Sequence, residues 1–465
     1  VQQKTTGLDF NKLIKNLQFK HLSSLFTFLL STLLLAGYFL FARTVDRSDS
    51  VILLSGYAFI FAFSFVLIIQ QKVSFWWLAI IGILAHCCFF TTTPALSQDF
   101  YRFIWDGRLF KAGFNPFLKT PLDFISSFGT ERIYQSNFLI QKMGSLSAHH
   151  FSNYPPVSQF VYALSSFLGG KSISATIFSL RCITILSHIG TLIVGRKLLI
   201  NLGFNPKRIF WFFLNPLIII ELTGNLHLEG VMIFFLILGF YLLHQRKWMG
   251  AAVFIALSIS TKLLPLMFLP LFFYYFKNTY QKNWLKLIGF YALIGLVNLA
   301  LFIPFLSQKS IVHFADSVGL WFQIFEFNAS IYYLARFLGI QIMDYNPIAL
   351  VGPALAILAL IGILLLSFWK KQGEKLPFAA MLLAFFIYLS LTTTVHPWYL
   401  ATPLLLSLFT RFKFMLLWSL TIFLSYVAYS NAEVNEQTWI LALEYIPVYG
   451  LLIYEVWSKP KLIIK

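Results

Sequence analysis

Cysteine is scarce in this 465-residue chain: there are 3, of which Cys87 and Cys88 are neighbours and Cys182 sits in a separate apolar run. That spacing excludes a disulfide framework and zinc-type ligand sets. Charge is also scarce, at 11% of residues against 58% hydrophobic ones, where a soluble domain carries roughly 25% charge. Acids are rarer than bases, with 17 Asp and Glu against 35 Lys and Arg for a formal net charge of +18. Anionic phospholipids account for such a balance, so no nucleic-acid partner is needed. No stretch reads as a soluble domain or a low-complexity linker, and no internal repeat is evident. The run from Leu22 to Ala42 follows Lys12, Lys15 and Lys20 but is too long for a signal-peptide core. It also has no small-x-small cleavage pattern before Arg43, so it is expected to be a retained first span.

What the chain has is apolar runs long enough to cross about 30 Å of hydrocarbon, recurring from Leu22 almost to the last residue. The expectation is one all-α polytopic membrane domain over residues 1–465. Short cytoplasmic loops keep positive charge, so sides are assigned by the basic clusters. These are Lys4 to Lys20, Lys72, Arg196/Lys197 with Lys207/Arg208, Arg246/Lys247, Lys277/Lys282/Lys286, Lys370/Lys371/Lys375, Arg411/Lys413 and Lys459/Lys461/Lys465. One path puts all of them inside, with spans at roughly 21–42, 51–71, 74–94, 173–196, 209–223, 228–243, 249–261, 263–276, 285–306, 347–369, 376–393, 398–410, 412–429 and 438–456. That makes about fourteen crossings with both termini cytoplasmic. Residues 95–172 form a large external loop. Within it Tyr154 to Gly170 reads as re-entrant or interfacial, because counting it as a span would turn Arg196 to Arg208 outward. Ala251 to Phe276 is split near Thr261 to Pro265, where a lysine and a proline interrupt a helix.

On this path the ionisable residues converge. Asp99, Asp106, His227, Glu229, Lys262, His313, Asp316, Glu326, Asn328 and His396 all emerge on the non-cytoplasmic side, and costly polar groups gathered at one membrane face mark a candidate site. The densest island is S-Q-D-F-Y-R-F-I-W-D-G-R-L-F-K-A-G-F-N-P-F, Ser97 to Phe117. Phe100 to Ala112 reads as an amphipathic interfacial helix stopped by Gly113 and Asn115-Pro116. Asp99, Arg102 and Asp106 fall at i, i+3 and i+7, on one face, so both carboxylates are expected to look toward a common substrate. Phe100, Phe103, Ile104 and Phe110 supply most of the apolar face. An Arg102/Asp106 pair on an aromatic-belted interfacial helix is the plainer reading of the same residues.

The island resembles the first external loop of bacterial GT-C-class mannosyltransferase-like proteins, relatives of the eukaryotic mannosyltransferase of glycosylphosphatidylinositol assembly. Further matches follow in order: N-Y-P-P-V-S-Q at Asn153 to Gln159, L-N-P-L-I-I-I-E-L-T-G-N-L-H-L-E at Leu214 to Glu229, and T-K-L-L-P-L at Thr261 to Leu266. After these come F-N-A-S-I-Y-Y-L at Phe327 to Leu334 and V-H-P-W-Y-L at Val395 to Leu400. The resemblance spans about Phe75 to Thr410. It implies a plasma-membrane enzyme with its site on the external face, taking a sugar, with mannose favoured, from a polyprenyl-phosphate carrier to a lipid-linked or cell-surface glycan, with inversion. Many such proteins carry two acids where this chain has Gln98-Asp99. That leaves Asp99 as the sole candidate for the general base there and weakens a divalent-metal site built from paired carboxylates, so no cofactor is expected and a divalent metal is the less favoured alternative.

The chemistry then distributes roles. An acceptor hydroxyl must lose a proton as it attacks, which is assigned to Asp99. The departing phosphate needs cations, for which Lys262, Arg102 and Arg108 are the candidates, Lys262 first because a lone lysine at a helix break needs an anionic partner. Snorkelling is its structural alternative. His396 and Tyr399 are expected at the donor, although Trp398 and Tyr399 also suit an aromatic belt. Asp106, Tyr154, His227, Glu229 and Asn328 are candidates for acceptor or sugar binding, or for support. Asn328-Ala329-Ser330 matches a glycosylation sequon, with a sugar contact preferred. A lipid-linked sugar flippase and a glycan polymerase using a pyrophosphate-linked donor are the rival functions.

Overall fold

In hydrocarbon a backbone amide finds no water, so a chain this apolar must satisfy its amides within helices. The computed structural model of the protein describes residues 24–281, 283–320, 323–368, 375–431 and 433–458. Among these residues every regular element is helical, apart from an isolated parallel bridge between Phe327 and Thr394. The architecture is an all-α polytopic membrane protein. Lys4 to Lys20, Lys282, Lys370, Lys371, Lys459, Lys461 and Lys465, on which part of the sidedness argument leans, lie outside the described residues, as do both termini.

Six helices are long and apolar enough to cross a bilayer: Ser24–Thr44, Ser50–Ile69, Ile173–Asn201, Trp284–Phe305, Ile348–Ser367 and Thr438–Ser458. A seventh crossing arises if Ile218–Gly224 and Glu229–His244, bent by 112° at their junction, count as one broken span. Fourteen crossings therefore go beyond what helix lengths support. The other expected spans are helical but short. Phe75–Cys87 has 13 residues, Trp248–Ile259 has 12 and Phe378–Leu391 has 14, and at about 1.5 Å per residue each covers only about 20 Å. In the last two much of the apolar surface packs inside the protein, where Ala251, Ala252, Ala256, Met381, Leu382 and Phe385 are buried. The expected interruption near Thr261 to Pro265 is present, since Trp248–Ile259 ends there and a 3-10 segment, Leu264–Leu271, resumes after it.

Two breaks are stitched together by one side chain. Arg181, in the middle of Ile173–Asn201 and fully buried, donates from Nε to the Thr223 carbonyl (3.0 Å) and from Nη2 to that of Gly224 (3.0 Å). Its Nη1 donates to the carbonyls of Phe90 (3.2 Å) and Thr92 (2.8 Å). It thereby satisfies the chain ends leaving Phe75–Cys87 and the π-helical Ile218–Gly224.

The island helix runs Asp99–Lys111, and it is buried on more than the single apolar face expected of it. Phe100 and every residue from Arg102 to Leu109 are buried, so the helix is enclosed by Ser136–His149, Pro156–Gly169 and Ile173–Asn201. Gly107 allows the closest approach: a Cβ there would lie 2.3 Å from the Tyr162 carbonyl oxygen. The Tyr154 to Gly170 segment is the helix Pro156–Gly169, whose 14 residues reach about 21 Å, too short to cross upright. Phe160, Leu164, Phe167 and Leu168 project from its outer face.

The sidedness assignment yields a direct test in a cysteine-free background. Ser127→Cys and Asn201→Cys, both at exposed positions, are expected to differ: a membrane-impermeant thiol reagent added to intact cells labels the first and not the second. Labelling of both from outside would make Pro156–Gly169 a true crossing.

Candidate active site

The breaks leave a cavity of about 690 Å³ with two characters, a size usual for small-molecule sites. At its polar end stand Arg47, Asp99, Arg102, Lys262, His396 and Tyr399. Its apolar arm runs between Leu264–Leu271 and Ile348–Ser367, past Leu264, Met267, Ala359, Leu360 and Ile363.

Asp99 is the first residue of the island helix, with its own amide donating to Ser97 Oγ at 3.2 Å. Among the described residues its carboxylate has no hydrogen-bond donor and no ion-pair partner, so it is open to the cavity. Burial pushes its pKa above the ordinary carboxylate value, the Lys262 charge pulls it back, and Glu229 pushes it up again. A raised carboxylate pKa suits a proton acceptor, because basicity rises with it.

The approach to Asp99 is pinned from behind. Leu96 N donates to Asn225 Oδ1 (3.2 Å), Asn225 Nδ2 donates to Glu221 Oε2 (3.1 Å), and Tyr426, a cavity residue, donates its hydroxyl to Glu221 Oε1 (2.7 Å). Glu221 belongs to Ile218–Gly224 and Asn225 caps its end, so this polar bend is a bracket for the loop that carries Asp99.

Asp106, in contrast, does not line the cavity. It is fully buried, paired with Arg102 Nε at 2.8 Å, and it accepts from Ser152 Oγ (2.6 Å) and Gln159 Nε2 (3.2 Å). The picture of two carboxylates facing one substrate is therefore corrected: seven residues along a sunken helix, partners on other elements take Asp106 away. Its work is to orient Arg102, which lines the cavity with Nη1 on the carbonyls of Ser147 (2.5 Å) and His150 (2.9 Å). Nη2 of Arg102 is buried without a partner among the described residues.

Lys262 sits at the helix break and does have an anionic partner, Glu229 Oε1 at 2.5 Å, so it is not simply snorkelling. It also approaches the Tyr154 ring, 5.9 Å from the centroid, and both lie on the cavity wall. Glu229 is buried behind Lys262. His227 is buried too, stacked on Trp398 with centroids 3.7 Å apart, and Trp398 stacks in turn on His396 at 4.3 Å. His227 thus supports the wall, whereas His396 faces the cavity. Burial, with Lys262 as a lesser cause, lowers the His396 pKa to about 3, so this imidazole is neutral near pH 7.

Two candidates lie elsewhere. Arg108 does not reach the cavity, because its guanidinium holds the carbonyls of Tyr134 (2.5 Å) and Lys171 (2.9 Å), stapling the loop. Asn328 is fully buried at φ +48°, donates to Glu444 (3.1 Å) and the Val395 carbonyl (3.4 Å), and offers neither a sugar contact nor a glycan acceptor. Together with Phe327, which bonds Thr393 O and receives from Val395 N, it sets the strand-like stretch that presents His396. Sequence reasoning passed over Arg47, Tyr426 and Tyr429, all on the cavity wall. The available signal for Arg47 was an arginine in a loop that the charge path placed outside.

An all-helical membrane protein whose cavity joins an open carboxylate, cations and an apolar arm suits glycosyl transfer, and similarity to known proteins makes it a membrane glycosyltransferase of the GT-C class. The family described as Alpha-(1->6)-mannopyranosyltransferase, N-terminal domain, matches residues 18–277, and the chain belongs to that family. It is similar to alpha-(1->6)-mannopyranosyltransferase A of Corynebacterium glutamicum, with 20% identity over 370 residues, covering 69% of this chain and 68% of the relative. It is also similar to alpha-(1->6)-mannopyranosyltransferase B of the same organism, with 25% identity over 175 residues, 36% of this chain and 28% of the relative. No solved structure matches.

The Lys262 charge gives a testable pH effect. Lys262→Met removes the largest influence lowering the Asp99 pKa, so the acid limb of kcat/KM should move to higher pH and donor KM should rise. Adding Glu229→Gln removes a charge that raises the Asp99 pKa, so the double variant should move part of the way back. Unchanged acid limbs in both would separate Lys262 from the base.

Proposed function

We propose that the protein transfers mannose from a polyprenyl-phosphate carrier to a lipid-linked or cell-surface glycan on the external face of the plasma membrane. What carries the reading is the joining, in one cavity, of an unpartnered Asp99 carboxylate and cations with an apolar arm. The acceptor hydroxyl gives its proton to an Asp99 carboxylate oxygen while its oxygen attacks the anomeric carbon. The bond from that carbon to the phosphate oxygen breaks, and the polyprenyl phosphate leaves with the electron pair. One such displacement inverts the anomeric centre. Arg102 and Lys262 meet the growing phosphate charge in a poorly hydrated site, where fixed cations act most strongly. Neutral His396 and the Tyr154 and Tyr399 rings are placed for hydrogen bonding and stacking on the sugar. The isoprenoid tail takes the apolar arm.

Asp99→Asn still accepts a hydrogen bond but cannot take a proton, so turnover should fall by roughly 10²-fold or more with donor binding retained. Asp106→Asn should act through Arg102, raising donor KM more than it lowers kcat. Near-normal transfer by Asp99→Asn from polyprenyl-phosphate-mannose would sink the assignment.

The transfer is also proposed to be metal-independent, because residue 98 is Gln rather than a second acid and Glu229 is engaged by Lys262. Activity should survive EDTA treatment. Loss on chelation, restored by Mg²⁺ or Mn²⁺, would require a metal.

A further inference from the structure

Three Lys or Arg side chains line the cavity among the described residues: Arg47, Arg102 and Lys262. Two of them are already neutralised, Arg102 by Asp106 at 2.8 Å and Lys262 by Glu229 at 2.5 Å. Arg47 has no carboxylate partner among the described residues. It lies in the turn between Ser24–Thr44 and Ser50–Ile69, a hairpin that contributes no other residue to the polar end.

The turn is built so that neither neighbouring acid forms an ion pair with Arg47. Asp46 spends its carboxylate on Ser48, accepting from the amide (2.8 Å) and the hydroxyl (2.7 Å), and Asp49 caps the next helix through the Ile52 amide (3.0 Å). With both neighbouring acids turned to the backbone, the Arg47 guanidinium lies over the Tyr429 ring, 4.3 Å from its centroid, on the cavity wall. An aromatic face steadies a guanidinium without cancelling its charge. The field of Arg47 reaches Asp99, which it stabilises as the anion.

We propose that Arg47 binds the donor's phosphate and selects a singly charged phosphodiester over a pyrophosphate-linked sugar. The inference rests on the carrier-phosphate reading above and adds its charge selection. The Arg102/Asp106 and Lys262/Glu229 pairs each sum to zero, which leaves the Asp99 carboxylate and Arg47 as the unpaired charges on the wall; with Asp99 given to the acceptor's proton, Arg47 is the one cavity cation without a carboxylate partner, among the described residues, that the incoming phosphate meets. A sugar phosphodiester brings one negative charge; a diphosphate diester brings two, the second of which would be desolvated without a partner. Lys262 and the free Nη2 of Arg102 remain hydrogen-bond donors to the phosphate oxygens, but the cation without a carboxylate partner comes from the hairpin.

The test uses the purified full-length protein with short-chain polyprenyl phosphomannose and the matching polyprenyl diphosphomannose. Arg47→Gln should raise KM for phosphomannose by about 10- to 100-fold, the loss expected for one charge-assisted phosphate contact, with kcat changed by less than about 3-fold. Arg47→Lys should recover part of that loss, and both variants should keep the wild-type melting temperature, since the turn's own bonds do not involve Arg47. Glu229→Gln supplies the converse, freeing the Lys262 charge, and should shift the binding ratio toward diphosphomannose by about 10-fold. Wild-type donor KM in Arg47→Gln, or an unmoved ratio in Glu229→Gln, overturns the selection by Arg47 while leaving phosphomannose as donor. If the wild-type protein uses neither lipid, the donor reading falls and this inference with it.

Discussion

The fully buried Arg181 is the contact on which the rest of the site depends. A helix that breaks inside a membrane protein leaves carbonyls with no amide to receive from, and each is costly when dry. This chain breaks twice at the same level, after Phe75–Cys87 and after Ile218–Gly224, and a single guanidinium takes carbonyls from both. The two breaks become one joint. From one side of it the chain runs through Leu96 to Asp99; from the other it passes Asn225 and His227 to Glu229 and Lys262. Asp99 and Lys262 are therefore brought to the same cavity by a residue that touches neither.

The same principle explains what could be read from the sequence. Composition gave away the bilayer, and the clustering of Asp99, Lys262 and His396 in ordered motifs gave away the wall of the cavity, because ionisable residues at membrane depth have few other uses. The interruption at Thr261 to Pro265 was legible for the same reason. Span counting outran the helix lengths because an apolar segment is ambiguous: Trp248–Ile259 and Phe378–Leu391 are short and largely buried against protein. Side-chain direction was the other blind spot. Periodicity put Asp99, Arg102 and Asp106 on one face, but it says nothing of Ser152 and Gln159, which arrive from distant sequence and take Asp106 inward. Asn328 and Arg108 were misplaced in the same way, their polarity being answered by Glu444 and by loop carbonyls. Arg181 carried no motif at all; only the carbonyls it serves reveal its purpose.

Electrostatic order in the site follows from pairing rather than from the number of charges. Isolated charges in a poorly hydrated cavity are expensive, so most are paired within the protein: Arg102 with Asp106, Lys262 with Glu229. Pairing fixes geometry at the expense of net charge, which leaves Asp99 and Arg47 as the groups whose charges remain available to a substrate. His396 adds no third charge, since burial holds it neutral.

Asp99 and Asp106 make the argument sharpest, being two carboxylates on one helix with opposite fates. Environment, not residue type, separates them, as in other sites where paired acids divide roles. Asp106 is held by Arg102, Ser152 and Gln159, and a carboxylate so committed can orient a cation but has no oxygen turned to the cavity for a proton. Asp99 stands at the helix's first residue, where the chain emerges from the Asn225 bracket; its burial is partial and its oxygens meet only the cavity. A buried island helix thus serves as a lever: its inner turn is clamped so firmly that its outermost residue can be left unsatisfied, and that unsatisfied carboxylate is what an acceptor hydroxyl would find.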